Sequence, residues 1–319
     1  MAVPSNTLLR SAVVGEREDL ENDIYRVAPE ETPFTGNIGK MKVKSVLHTW
    51  QTESLAAPDP NNANYEGADA VLDAAHQPVK RSVLAQIFDK TGSVSGTVEA
   101  ADNAGREDEE DYQKMIKGIE VRRDIEARMI GNYASVDETP ASVTRKTAGA
   151  LAWIETSDSL GAGGSSGGWA SAGVVDAAGN GTQRTFTESL MKAVLVTAFN
   201  NGARLSQIYL GGVHKQVFSG FPGIADSRKD VGSKKQATII GAADVYEGDF
   251  GTLTAIPHPY GLTRDALLID PSGWAVGTYR GMQTTPLAKS GDSDQFQMLC
   301  EKMLVCKNEL KGAAIRDLT

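Results

Sequence analysis

Three strings in this sequence carry the residue types of known catalytic chemistry. Gly163-Gly164-Ser165-Ser166-Gly167 matches G-x-S-x-G, in which a serine on a tight strand-to-helix turn serves as nucleophile. Ser189–Lys192 fits S-x-x-K and Lys90-Thr91-Gly92 fits K-T-G, two pieces of the serine chemistry of penicillin-binding enzymes. Each depends on its context. Ser165 lies inside GAGGSSGG (Gly161–Gly168), a glycine-serine loop with no strand before it and no helix after it, so a linker is the better reading. The K-T-G comes before the S-x-x-K, the reverse of the order that chemistry uses, so chance is the better account. A serine hydrolase using Ser165 is kept as the enzyme alternative.

Metal and nucleotide chemistry have less to stand on. His48, His76, His214 and His258 are scattered without ligand spacing. The acidic run Glu107–Asp111 reads as a solvated helix start rather than a metal site. No Walker A string and no post-strand G-x-G-x-x-G offers a phosphate cradle. Cys300 and Cys306 share one apparent strand, which would hold them roughly 20 Å apart, too far for a disulfide. They read as core thiols of a reducing compartment. No catalytic residue, cofactor or metal is expected.

Bulk properties narrow the class. The chain has 319 residues, 40% hydrophobic and 23% charged, enough to bury a core. A net charge of −9 argues against a protein whose main task is gripping nucleic acid, because neutralising phosphates takes clustered Lys and Arg. The longest apolar run, AVLVTAF at Ala193–Phe199, is far short of a membrane span. Arg10 interrupts the short apolar stretch near the N-terminus and acids follow it, a poor signal peptide. A cytoplasmic setting is expected.

The elements that would position any site are unusual in their lengths. Gly105–Asn132 reads as one helix roughly 40 Å long. Tyr112, Met115, Ile116, Ile119, Met129 and Ile130 fall on one side of it, with Ile125 at the edge. Acids open it and Arg122, Arg123 and Arg128 occupy its later half, complementing the helix dipole. Gly131 is placed as its stop, and Gly118 in mid-helix predicts close approach of another backbone. Arg122 and Glu126, at i and i+4, read first as a local ion pair and second as an inter-subunit contact. Before the rod, Met41–Glu53 and Pro78–Val98 read as two extended runs around the turn APDPNNANYEG (Ala57–Gly67), a long hairpin arm with a polar tip. Such an arm is marginal alone and needs something to lie on. After the rod come a loop-rich stretch over 157–183 and a helix from the capping box Thr185–Glu188 to about Asn200. Short strands follow at Gln207–Leu210, Ala237–Ile240, Asp244–Ile256, Ala266–Asp270 and Trp274–Tyr279. The last element, Gln295–Lys307, alternates Phe296, Met298, Cys300, Leu304 and Cys306 with Gln295, Gln297, Glu301 and Lys307, the period of a strand. Its length matches the rod, which predicts an elongated slab.

That order of parts resembles the HK97 fold of tailed-phage major capsid proteins, and more specifically the SU10-like major capsid protein family. The resemblance is carried by ETPFTGNIGK (Glu31–Lys40), HTWQTESLAAPDPNNANYEGADA (His48–Ala70), VSGTVEAADNAGREDEEDYQ (Val94–Gln113), RRDIEARMIGN (Arg122–Asn132), AGALAW (Ala148–Trp153), DVYEGDFGTLTAIP (Asp244–Pro257) and TTPLAKSGDSDQFQMLCE (Thr284–Glu301). These blocks run through nearly the whole chain in the family's order.

The resemblance implies an α+β fold: an N-terminal arm (1–40), an extended E-loop hairpin (41–98), a P-domain (99–184) with spine helix 105–132, an A-domain (185–279), and P-domain return strands (280–319) with a P-loop turn at 289–294. It implies self-assembly through pentamers and hexamers into an icosahedral head enclosing double-stranded DNA, contacted non-specifically. The expected place is the virion, with assembly in the host cytoplasm, no membrane, and separate scaffolding, portal and decoration proteins as possible partners. No scaffold-like N-terminal extension is evident, so a scaffold is expected to be a separate protein. An encapsulin-like nanocompartment is the alternative on the same fold, and a secreted adhesin a weaker one. Inter-subunit contacts are expected at Lys40, Lys42, Lys44, Trp50, Glu107, Asp108, Glu109, Arg122, Glu126, Lys289 and Asp292. Within that set, the basic face of Lys40, Lys42 and Lys44 is expected to meet the acids Glu107–Asp111 of another copy, with two separately solvated faces as the alternative.

Overall fold

The computed structural model describes residues 28–67, 69, 72, 74–101, 108–139, 142–221, 244–289 and 291–319. Two sheets and two apolar cores organise them. The first sheet has the order β1 (Gly39–Lys42), β12 (Trp274–Pro286), β13 (Ser293–Cys306) and β4 (Gln86–Ser95). Only its outer pair β1–β12 is parallel. The second has the order β5 (Asp158–Ser159), β14 (Gly312–Ile315), β11 (Ala266–Ile269), β8 (Gln207–Leu210), β10 (Gly251–Pro257) and β9 (Val245–Gly248). Two hairpins stand apart from these sheets, β2 (Leu47–Thr52) with β3 (Val79–Leu84), and β6 (Gly168–Ser171) with β7 (Val174–Asp176). The helices are α1 (Pro33–Asn37), α2 (Gly96–Glu99), α3 (Glu109–Ile130), α4 (Ala150–Trp153), α5 (Glu188–Asn200) and α6 (Gly212–Ser219).

The long helix and long strand are both present and lie together. Helix α3 has 22 residues, about 33 Å at the usual rise, and packs on β4 and β13. Its buried apolar residues are Val121, Ile125, Met129 and Ile130. Of the expected stripe Met115 is exposed and Tyr112, Ile116 and Ile119 are only half-buried, while Ile125, expected at the edge, belongs to the buried core. The helix is shorter at its start than the sequence suggests. Asp108 is extended and its carboxylate accepts the Asp111 N–H at 2.8 Å, so it caps the helix from outside; positions 105–107 lie outside the described residues. At the other end Gly131 is the C-cap, and Arg128 donates to the Thr147 and Ala134 carbonyls at 2.8 and 2.6 Å. Gly118 meets no foreign backbone. A methyl there would touch only the Met298 side chain, at 3.6 Å from sulfur, an ordinary contact.

In β13 the alternation of buried and half-buried residues holds from Phe296 to Cys300 and is then lost. From Met303 to Cys306 every residue is buried, because the strand there is covered on both faces. Glu301, read as a polar-face residue, is only 4% exposed and sits between Arg145, at 3.5 Å, and Arg280. Cys300 and Cys306 are free, buried thiols, and burial pushes both thiols up.

Several boundaries differ from the sequence reading. The hairpin expected over 41–98 is confined to β2 and β3. Its lower limbs belong to the body: β1 adds to β12, and β4 pairs along β13 from Gln86 to Ser95. The reason is apolar cover, since Val43, Phe88 and Val94 are buried there and a free hairpin would leave them in water. The division at 279/280 falls inside β12, a single strand. The C-terminal strand β14 joins the second sheet, with Ala313, Ile315 and Leu318 in the core beneath α5. The stretch 157–183 is a loop interrupted by β5, β6 and β7. Helix α5 is capped by Thr187 rather than Thr185: the Thr187 hydroxyl accepts the Leu190 N–H, while Glu188 takes Lys192 and the Tyr246 hydroxyl. The run 244–256 splits into β9 and β10 around a two-residue turn, and 237–240 lies outside the described residues.

Because nothing crowds Gly118, alanine there removes the helix penalty of glycine at no steric cost. Gly118→Ala is expected to raise unfolding stability by roughly 0.5–1 kcal/mol in denaturant titration of the unassembled chain; a loss of stability would show that a close approach exists after all.

Candidate functional site

The residues with catalytic potential are dispersed. The Ser165 hydroxyl accepts the Gly179 N–H at 3.2 Å, on an isolated bridge between two loop segments. Ser189 opens α5 with its hydroxyl 3.0 Å from that of Thr187, and Lys192 pairs with Glu188 at 2.8 Å. Lys90, of the K-T-G string, points from β4 to Asp124 of α3 at 3.0 Å. His48 stacks on Trp50, and burial pulls the His48 and His214 imidazoles down. Burial also pushes Asp158 up to about 6, against the opposing pull of Arg316, whose Nε lies 2.7 Å from both carboxylate oxygens. A displaced carboxylate can mark an active site, but this one is an internal pair between β5 and the C-terminal segment. Among the described residues no group of three His, Cys, Asp or Glu is placed to hold a metal.

What the chain does concentrate is structure around one acid. Glu126, on α3, is fully buried. Its oxygens accept the Phe34 N–H at 2.6 Å, the Thr35 N–H at 2.9 Å and the Thr35 hydroxyl at 2.5 Å. The His258 Nε2 lies 2.9 Å from the same carboxylate. Helix α1 has no side-chain cap of its own from Thr32, so Glu126 satisfies its first free amides from 91 and 92 residues away. The local pair with Arg122 therefore does not exist, because the carboxylate turns inward to these donors while Arg122 stays exposed.

The other expected contact residues fall into four groups. Lys40, Lys42 and Lys44 are exposed, alternate with Met41 and the buried Val43, and make no ion pair among the described residues. The acids expected to face them are engaged within their own helix. Glu109 is only 8% exposed and takes Gln113 at 2.8 Å, Glu110 and Asp111 pair with Lys114, and Asp108 is the cap; Glu107 lies outside the described residues. Trp50 is half-buried against its own body, its ring 5.7 Å from that of Trp153. Lys289 pairs with Asp294 across its turn at 2.7 Å, and the Asp292 carbonyl accepts the Gly96 N–H.

Beyond Thr52 the hairpin has no partner strand or core. From 53 to 78 no described residue is helical or in a strand. Leu55, Tyr65 and Leu72 are 90%, 90% and 94% exposed. These large apolar side chains stand bare on a segment with no helix or strand among its described residues.

Comparison with known proteins decides the lineage. The model of the SU10 major capsid protein family matches residues 4–319. The chain belongs to that family. A major capsid protein of Escherichia phage Phieco32 is 35% identical over 123 residues, 39% of this chain and 35% of that relative's length. The match thus spans about a third of the Phieco32 protein. Among solved structures, the capsid protein of cyanophage A-1(L) covers 97% of this chain and 98% of its own, with a TM-score of 0.65 and 12% identity. A chain from the capsid of a native GTA particle gives 97%, 98%, 0.64 and 9%, and a chain from Gordonia phage Cozz gives 100%, 98%, 0.62 and 11%. At such identities the likeness is one of fold, and it is the HK97-like capsid fold that the sequence resembles. The family's α+β architecture accordingly accounts for both sheets and the long α3.

Glu126 is the residue this fold can least spare. Glu126→Ala strands two amides, a hydroxyl and His258 without an acceptor and should cost on the order of 3–5 kcal/mol. Accelerated amide exchange at Phe34 and Thr35 is the specific readout; slow exchange there in the variant would contradict the clamp.

Proposed function

We propose that this chain is a shell subunit, many copies of which close into the icosahedral head of a tailed bacteriophage around double-stranded DNA. Membership of the family supports that role, and a neighbour in fold resolved with C5 symmetry supports five-fold rings. In this reading α3 with the first sheet is the P-domain spine and its return strands. The second core, including the C-terminal strand β14, is the A-domain. The hairpin β2–β3 with its tip is the E-loop, residues up to 38 are the arm, and the turn at 289–294 lies at contacts between capsomers. The protein acts in the virion as a structural component, without a cofactor, and its contacts to DNA are non-specific. A scaffold, a portal and decoration proteins would join as separate chains.

The observation that carries the reading is the bare tip. Covering a Leu or Tyr side chain is worth about 1.5–3 kcal/mol, and the structure gives Leu55, Tyr65 and Leu72 no cover within their own chain. Identical copies laid side by side supply it repeatedly, and modest contacts to several neighbours reinforce one another through effective concentration.

Replacing residues 54–77 by a two-residue Asn-Gly turn tests this. The shortened chain is expected to fold with unchanged helix content and to remain unassembled, while the full chain forms closed shells in electron micrographs. Closed shells from the shortened chain, or a full chain that stays monomeric at high concentration, would overturn the proposal.

A further inference from the structure

A cavity of about 220 Å³ lies where α1, α3, β1, β12 and β13 meet. Three cations line it, Lys40, Arg122 and Lys302, together with the hydroxyl-bearing Thr32, Thr35 and Thr278, and no acid does among the described residues. Their placement is fixed by the fold. Lys302 stands directly across from Thr278, and Thr278 across from Lys42, so these three form one row over three strands on one face of the sheet. Lys40 is one pleat along β1 on the same face. Arg122 reaches over from α3 one turn before Glu126, and the Glu126 clamp holds α1 against the rim.

We propose that this cavity is an anion site that receives a carboxylate from the acidic hairpin tip of a second copy of this chain. Lys40, Arg122 and Lys302 make no ion pair among the described residues. In a chain of 41 acids and 32 basic residues, three cations converging on an acid-free cavity repel one another until an anion arrives. The tip supplies that anion. From 53 to 78 the sequence holds Glu53, Asp59, Glu66, Asp69 and Asp73 and no Lys or Arg. Glu53, Asp59, Glu66 and Asp69 make no ion pair among the described residues, and the tip lines no part of its own chain's cavity. Its bare Leu55, Tyr65 and Leu72 also suit the apolar wall that Ile125 and Val276 give the cavity. The acids at the start of α3 are poorer partners, being already taken up by Lys114, Gln113 and the helix cap. The inference rests on the shell reading and names the receiving site for the tip.

Charge exchange in the full chain tests it. Lys40→Glu with Lys302→Glu is expected to lower the yield of closed shells at low salt by at least about tenfold, since one weakened contact recurs at every subunit. Glu66→Lys with Asp69→Lys should do the same, and the four changes together should restore assembly to within a few-fold of the parent. Thermal unfolding of each unassembled variant checks that it folds. If the Glu variants do not fold, Lys40→Gln with Arg122→Gln, which adds no charge, takes their place and should also lower the yield. Unchanged assembly of the pocket variants, or failure of the exchange to rescue, overturns the site alone. Normal empty shells with loss only of DNA-filled heads would assign the cavity to nucleic-acid phosphate and overturn the tip as its occupant. A parent chain that never assembles overturns the shell reading and the site with it.

Discussion

A single buried carboxylate holds the start of the described chain to everything after it. Taking an ionised acid fully out of water costs several kcal/mol unless its oxygens are met by donors in good geometry. Glu126 meets that condition with two amides and a hydroxyl of α1 and the imidazole of His258. Three elements meet there: α1, which supplies three donors; α3, which bears the acid; and the segment leaving β10, which carries His258. The Tyr260 hydroxyl extends the link, donating to the Pro29 carbonyl and lying 3.2 Å from the Arg123 Nε. Moving any one of these elements leaves the other groups buried and unpaired. The site is therefore coupled, and the placement of α1 is set by α3 rather than by its own few residues.

The remaining architecture divides labour between two cores joined by continuous strands. One core packs α3, α1 and α4 against the first sheet; the other packs α5 and α6 against the second. The chain runs from β11 into β12 through a short turn, and β13 returns it through another to β14, so the two sheets are joined twice at one end, where Trp274 pairs with Cys306. Such a body is stiff along β12 and β13, whose paired length runs from Trp274–Cys306 to Pro286–Phe296. The hairpin tip has neither core nor ladder. The long paired strands and the bare tip are complementary in the proposed shell: the first would offer a fixed surface, and the second would be covered by lying on one.

Much of this frame is legible in the sequence because it is written in short-range periodicity. The stripe of α3 and the period-2 run of β13 each depend on neighbours within a few residues, and both elements appear where expected. The errors share a different cause. Spacing at i and i+4 puts Arg122 and Glu126 near one another on a helix surface, but says nothing of whether distant amides compete for the acid. Phe34, Thr35 and His258 are 92, 91 and 132 residues away, and they win. The two limbs of 41–98 look alike as strands, yet which of them leave the hairpin to join β12 and β13 depends on partners contributed near the other end of the chain. Gly118 invited a packing explanation on helix propensity alone, and Met298 simply lies over it. Pro33 right after Thr32 is a helix-start signal in the sequence, but only the structure shows that Thr32 leaves α1 uncapped and that a remote acceptor takes its place.

An acidic shell protein faces a problem that its charge distribution addresses. At −9 per chain, copies repel one another at long range, which keeps unassembled subunits apart and soluble. Assembly then needs local attraction strong enough to act inside a Debye length, about 8 Å at physiological salt. Uniformly mixed charge could not provide it. Here Lys40, Arg122 and Lys302 line one cavity with Lys42 in the cross-strand row beside it, while the sequence from 53 to 78 holds acids and no Lys or Arg. Segregation of that kind leaves the net repulsion intact at a distance and replaces it at contact with opposite charges over an apolar floor.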